Sequence, residues 1–291
     1  FGVHQAGHPP LYYLLAAVLT AGMDVGRPDL VPNPHFSFNW DRPEPPPPNV
    51  YVHVQDPPPP YRGAPALRAA RVMRLVSLAS GVATVIATYA LALAVAPALP
   101  VLAPAAAGVV AFLPTFAFFG GAFNNDALAN ALATLALLCT VRVAQGRAAS
   151  RTLWFLGVAL GLGMMTKMTV AALVPVAGLA ILVHARRTRT PSFVLGASVR
   201  VGLPVVALSG WWFARNVSLY GPGDPLGWRI WSSRTPDLLR KVPIASELPT
   251  YLRFQLVSFF GAFGWANIRL PDATYTAFAA LVVLAALGLV V

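Results

Sequence analysis

Four ionisable side chains stand where an apolar sequence has least reason to keep them: His8, Asp126, Lys167 and Arg215. As a set they bind anions and handle protons. A guanidinium or ammonium holds a phosphate, and an imidazole or carboxylate within hydrogen-bond reach moves a proton. Lys167 is the strongest single signal, because an ammonium at the centre of an inserted helix costs about 2.5–3.5 kcal/mol. Two uses stand open for it: snorkelling to the surface, or holding an anionic headgroup or lipid phosphate. Asp126 ends the run Asn124-Asn125-Asp126. That run reads either as a helix N-cap, worth about 1 kcal/mol, or as a polar set that steers a sugar hydroxyl or takes a divalent cation. Asn130, one turn on, falls on a neighbouring face.

His8 opens His8-Pro9-Pro10-Leu11-Tyr12-Tyr13. Two prolines cost a helix start no hydrogen bonds, and two tyrosines suit the headgroup level, so an interfacial helix too short to span is expected. Two readings stand open: an aromatic-anchored helix start, which leaves His4 and His8 without a reason, or an imidazole set to meet a phosphate or carboxylate partner. Arg215 follows the aromatic belt Trp211-Trp212-Phe213-Ala214 and precedes Asn216. Tyr220-Gly221-Pro222-Gly223-Asp224-Pro225 then reads as a turn returning Asp224 towards the membrane, or as an ordinary loop. Asn216-Val217-Ser218 fits a glycosylation sequon but lies too close to a span end to carry weight. Ser258-Phe259-Phe260-Gly261-Ala262-Phe263-Gly264-Trp265, preceded by Arg253, reads as a second interfacial aromatic helix, covering an acyl chain or simply anchoring.

These groups need a membrane scaffold to position them. Of 291 residues 57% are apolar and only 11% charged, against about 25% charged in a water-soluble domain. The expectation is an all-α, polytopic transmembrane protein. Apolar runs at about 75–96, 101–119, 127–141, 153–166, 169–183, 199–213 and 272–291 suggest seven crossings. The run from Val101 to Val141 carries one charge, Asp126, and must turn near Asn124-Asn125-Asp126. Leu153 to Val183 is 31 residues with Lys167 as its sole charge, about 46 Å if straight, so it is either steeply tilted or broken near Thr166-Lys167, and the break is the favoured reading. Residues 25–74 hold 13 of the 28 prolines, including Pro45 to Pro48 and Pro57 to Pro60, and read as an extended loop.

The expected organisation is therefore an extracytoplasmic interfacial helix and proline-rich loop over 1–74 and a helical core over 75–213. A second extracytoplasmic loop with its aromatic helix covers 214–271, and a further span begins at 272–291. Orientation comes from Arg142, Arg147, Arg151, Arg186, Arg187, Arg189 and Arg200, which sit around two short, acid-free connectors and mark the cytoplasmic side. Apart from Lys167, the remaining basic residues are diluted among most of the acids in long loops, which weigh less. Alternate threading then gathers His8, Asp126, Lys167 and the loop after Ala214 on the opposite face.

The formal charge of +11 points to membrane lipids and lipid-linked phosphates rather than nucleic acid, since the arginines flank hydrophobic spans. One cysteine, Cys139, makes neither a disulfide framework nor a thiolate metal site. No Walker loop, Gly-x-Ser-x-Gly elbow or His-Glu-x-x-His site is present.

Taken in order, the histidine-proline-tyrosine motif, Arg71-Val72-Met73-Arg74-Leu75 leading into Ser77 to Tyr89, Asn124-Asn125-Asp126 and Gly157 to Lys167 form a recognisable series. Trp211 to Asn216 with Tyr220 and Asp224, then Phe263-Gly264-Trp265, continue it. The series resembles the GT-C membrane glycosyltransferases of the protein O-mannosyltransferase and aminoarabinose-transferase type. That resemblance implies transfer of a sugar from a polyprenyl-phosphate carrier to an extracytoplasmic acceptor, usually with inversion, in a bacterial inner membrane. It implies an acidic base in the first external loop, expected upstream of Phe1 together with a first crossing, so the chain reads as a fragment. It casts Asp126 as a second acidic residue and His8 as a basic group near the lipid phosphate. Lys167 and Arg215 become candidates for stabilising the departing phosphate, with Asn124, Asn125, Asn216, Tyr220 and Asp224 as further substrate contacts. A divalent cation is a candidate cofactor; sugar and acceptor are left open. The alternative is a secondary transporter or lipid flippase, suggested by the break at Lys167. A third is a scaffold whose proline-rich loop binds partners.

Overall fold

The computed structural model describes residues 8–23, 31–32, 51–52, 65–226, 244–263 and 268–288. Among them are ten α-helices: α1 (Leu11–Leu19), α2 (Pro65–Val95), α3 (Leu102–Phe112), α4 (Pro114–Gly121) and α5 (Asn125–Ala144) come first. Next come α6 (Ser150–Met164), a 3-10 turn (Met168–Ala172), α7 (Leu173–Thr188), α8 (Ser192–Tyr220), α9 (Ile244–Gly261) and α10 (Asp272–Gly288). Two short antiparallel pairs complete it: Val31–Pro32 with Tyr51–Val52, and Ala262–Phe263 with Ile268–Arg269. Most of the proline-rich stretch, His4 and Gly264-Trp265 lie outside the described residues.

The protein is an integral membrane protein, but seven spans are not what the described helices provide. Four stretches are long and apolar enough to cross: Arg68–Val95, Asn125–Ala144, Met168–Thr188 and Ser192–Tyr220. A fifth exists if α3 and α4, bent by 63°, are counted as one. Counting apolar runs gives a larger number than the described helices show, because a run ignores what breaks a helix. Pro114 lacks an amide hydrogen and forces Leu113 into extended backbone (φ −66°, ψ 118°). The run around Lys167 divides into α6, with 15 residues, and the 3-10 turn that leads into α7. At 1.5 Å per residue α6 rises about 23 Å, short of a ~30 Å hydrocarbon core.

The helices alternate end to end. Along α2 and α5, which run the same way, Ser77 meets Asn124 at one end and Gln145 Nε2 donates to the Ala94 carbonyl at 2.6 Å at the other. Helix α6 returns antiparallel to α5, from Arg151 beside Arg142 to Thr166 beside Asn125. Helices α6 and α8 run parallel at unusually close range. A Cβ at Gly157 would overlap the Val201 carbonyl, and one at Gly161 would stand 3.0 Å from the Pro204 carbonyl oxygen. Lipid tails give helices no hydrophobic reason to associate, so small residues that let backbones touch supply the packing instead. The buried core, Ala129, Ala136, Val143, Leu153, Leu156, Leu160, Ile181 and Val201 among others, lies between α5, α6, α7 and α8. Outside it, Phe112 at 87% exposure and Leu195 at 74% face where lipid would be.

Because of this alternation, the N-termini of α1, α2 and α5 and the C-termini of α6 and α8 share one end of the bundle. The opposite end holds the C-termini of α5 and α7 and the N-termini of α6 and α8, stitched by Arg187 Nη1 to the Ala144 carbonyl (3.0 Å) and Arg200 Nε to Ser150 Oγ (3.1 Å).

Candidate functional site at one end of the bundle

The site is built on the start of α5. Asn124 stands in extended backbone (φ −149°, ψ 137°), and its side-chain oxygen accepts the Asp126 N–H at 2.7 Å, capping the helix. With Asn124 spent on the cap, Asn125 turns inward, 7% exposed, and donates from Nδ2 to the Thr166 carbonyl at 3.1 Å. Asp126 then faces the break after α6 and forms an ion pair with Lys167. Helix α6 ends at Met164, and Lys167 (φ −155°, ψ 131°) is the extended residue that starts the 3-10 turn. The break expected from the sequence puts the ammonium at a helix end, where the carboxylate neutralises it. Lys167 therefore does not simply snorkel. Both side chains keep close to 30% exposure (29% and 28%), so the pair is open to a ligand.

Helix α1 docks on this corner: the Leu11 amide donates to the Met165 carbonyl at 2.9 Å. His8, just ahead of α1 in the chain, lies within the field of both members of the pair. Burial and the neighbouring Lys167 charge push the imidazole below its ordinary pKa of 6.5, while Asp126 pulls the other way. Tyr13 is shifted upward by burial, with Tyr12 and Asp126 adding to it. These couplings join His8, Asp126 and Lys167 in one half-open polar cluster.

The tyrosine pair corrects the headgroup-anchor expectation. Tyr12 is completely buried. Its hydroxyl accepts the Asn124 amide hydrogen at 2.9 Å and lies 2.7 Å from Ser77 Oγ, and Ser77 in turn contacts the Asn124 carbonyl at 3.4 Å. Tyr12 is thus the bolt between α1, α2 and the start of α5. Sequence reasoning missed Tyr12, Ser77 and Thr166 as site supports. A buried tyrosine needs a partner for its hydroxyl, but the partner is 65 or 112 positions away. Only the alternation of Tyr12 with the half-exposed Tyr13 could have hinted at it. Asn130 is exposed on α5 rather than turned into the site.

Arg215, Asn216, Tyr220 and Asp224 form a second group at the C-terminus of α8. The Arg215 guanidinium stacks 4.6 Å above the Trp212 ring and donates to Asn216 Oδ1 at 3.1 Å. Asn216, only 2% exposed, donates to the Pro225 carbonyl at 3.2 Å. A buried, bonded amide is no glycosylation acceptor. Tyr220 closes the helix, Gly221 takes positive φ (89°), and the turn folds Asp224 back to 3% exposure. Trp212 Nε1 is buried with no hydrogen-bond partner among the described residues. The two groups share an end of the bundle, but Arg215 spends its contacts on Trp212 and Asn216, and the structure joins it to neither Asp126 nor Lys167.

Among the described residues no three His, Cys, Asp or Glu side chains meet as metal ligands. The carboxylate at the corner holds an ammonium instead. The second aromatic helix is α9, which begins earlier than expected and stops at Gly261, with Ala262–Phe263 passing into a short strand instead of continuing the helix; it packs on α4 through Thr115 Oγ1 donating to the Ser258 carbonyl (3.2 Å) and on α10 through Phe260 stacked on Phe278 at 4.2 Å.

Residues 68–212 match the family model described as dolichyl-phosphate-mannose-protein mannosyltransferase. The match takes in Asp126 and Lys167 and stops before Arg215. No curated protein and no solved structure gives a significant match.

Proposed function

This chain belongs, through residues 68–212, to the dolichyl-phosphate-mannose-protein mannosyltransferase family of membrane glycosyltransferases, which use a lipid-linked sugar, and we propose that its Asp126–Lys167 corner receives the donor phosphate. The carrying observation is the half-open ion pair with His8 beside it. An ion pair left about 30% exposed adds little stability by itself, so its place at an accessible helix end favours a ligand-handling role.

In the proposed reaction the bond from the sugar's anomeric carbon to the phosphate oxygen breaks, and the electron pair leaves with the polyprenyl phosphate. The Lys167 ammonium stabilises that growing negative charge, the kind of preorganised interaction that most accelerates charge-separating steps. Asp126, whose carboxylate is engaged by Lys167, positions the ammonium rather than serving as base. His8, neutral near pH 7 because its pKa is depressed, hydrogen-bonds the phosphate without adding a second charge. Arg215, exposed and stacked on Trp212, meets the sugar or the headgroup from the α8 side. The acceptor hydroxyl attacks the anomeric carbon from the open face as the phosphate leaves, and its proton passes to water there; this reading puts that face outside the cytoplasm, because the acid-free arginine connectors lie at the other end.

The test is transfer from a radiolabelled polyprenyl-phosphate sugar in membranes carrying the protein. Lys167→Ala and Asp126→Asn should each lower turnover, Lys167→Ala by about a hundredfold, with the protein still inserted and folded. Unchanged turnover in both removes the site assignment. Transport is the weaker reading, since Asp126 is the second residue of α5 and Lys167 precedes the 3-10 turn. Both lie where the candidate spans Asn125–Ala144 and Met168–Thr188 begin, rather than near mid-depth, where a transport site is expected.

A further inference from the structure

The opposite end of the bundle carries an unassigned, open cavity of about 670 Å³. Arg142, Arg147, Arg151, Thr152 and His184 line it, and no acid does. The helix ends explain the clustering. At the end of α5, Gly146 takes φ 91°, its amide donates to the Val143 carbonyl (3.0 Å) and the Arg147 amide donates to the Arg142 carbonyl (2.8 Å). This is a Schellman stop, which folds Arg147 back over Arg142 and aims the first turn of α6 at both. The guanidinium groups of Arg142, Arg147 and Arg151 have no hydrogen-bond or ion-pair partner among the described residues. His184 Nδ1–H donates to the Val143 carbonyl at 3.2 Å, which leaves Nε2 as the ring's remaining polar atom.

A second cavity of about 620 Å³ continues from the first and shares Arg142, Arg151 and Thr152 with it. It runs up the groove between α5 and α6, lined by Leu135, Leu138, Phe155, Val158 and Leu162. Three unpaired guanidinium groups at the mouth and an apolar trough leading away towards mid-bundle are the two halves of one amphiphile's outline. Arginine matches phosphate geometry with paired donors, and the trough suits a hydrocarbon chain.

We infer that this arginine-headed groove between α5 and α6 binds an anionic phospholipid, with its phosphate among Arg142, Arg147 and Arg151 and one acyl chain along Leu135, Leu138 and Phe155. The lipid is distinct from a sugar donor seated at Lys167. Arg142 lies 16 positions beyond Asp126 on the same helix, about 24 Å along its axis. That is nearly the thickness of the hydrocarbon core, so the two phosphates sit in opposite leaflets. The bound lipid clamps the α5–α6 pair from behind, on the helices whose other ends carry Asp126 and Lys167.

Native mass spectrometry of the detergent-purified chain tests this with phosphatidylglycerol, phosphatidylcholine and inorganic phosphate as separate probes. Phosphatidylglycerol should bind at least about tenfold more tightly than phosphatidylcholine, a preference the joint change of Arg142, Arg147 and Arg151 to Gln abolishes. Val158→Trp, which fills the trough and leaves the arginines, should weaken phosphatidylglycerol binding several-fold. Equal binding of the two lipids by the unaltered protein overturns the inference without any variant. So does displacement of phosphatidylglycerol by inorganic phosphate at equal concentration, which would assign the cavity to a soluble anion.

Discussion

Asn125 Nδ2 donates to the Thr166 carbonyl oxygen at 3.1 Å, one residue before each partner of the Asp126–Lys167 ion pair. The hydrogen bond locks the start of α5 to the break after α6, and the ion pair is formed in the register it sets. Asn125→Ala leaves a buried carbonyl without that donor and should cost about 1–3 kcal/mol. Thermal unfolding of the variant in detergent measures this; an unchanged midpoint would mean that this hydrogen bond does not hold the corner.

Tyr12 carries a comparable load. Tyr12→Phe keeps the ring but removes the acceptor of the Asn124 amide and the partner of Ser77, so a loss of about 1–3 kcal/mol is expected. Ser77→Ala, which leaves Tyr12 bonded to Asn124, should cost less. Equal melting of Tyr12→Phe and the unaltered protein would show that the hydroxyl is not structural.

Backbone contact between α6 and α8 predicts an asymmetry among glycines. Gly157→Leu must push the helices apart, because even a Cβ overlaps the Val201 carbonyl, whereas Gly178 has nothing within 4 Å of an added Cβ. Gly157→Leu is expected to destabilise by about 1–3 kcal/mol or to prevent folding. Gly178→Ala should be neutral or slightly stabilising. Comparable yields and melting temperatures for both would contradict the packing described.

The pH response should carry a His8 signature. Its folded pKa is lower than the ordinary 6.5, from burial and then Lys167, partly offset by Asp126. The unfolded chain therefore binds the proton more readily. Stability from neutral His8 is fully present above pH 6.5 and is lost as pH falls through 6.5 towards the depressed value, below which the loss is complete. His8→Gln should flatten the acid side of the melting-temperature profile, from pH 6.5 downward. Parallel profiles for the two proteins would mean that His8 is not buried against the pair.

Much of this arrangement is legible in the residues. The length of an apolar run whose sole charge is Lys167 points to the break there, and Asn124-Asn125-Asp126 announces a helix start because those side chains cap amides. Both are local or one-body effects. Span number is less legible: apolar composition counts runs, but Pro114 bends α3 against α4 by 63° and α6 stops at 15 residues.

Composition and spacing determine by themselves an all-α membrane protein with charged groups sorted to its two ends, since hydrocarbon excludes charge wherever the chain crosses. Tertiary structure alone decides which of those groups meet. Asp126 finds Lys167, Tyr12 leaves the expected headgroup level for the core, and Arg215 settles on Trp212. Pairing depends on the rotation and register of whole helices, which glycine contacts and hydrogen bonds between segments 41 to 112 positions apart settle, and no local pattern encodes an angle about a helix axis.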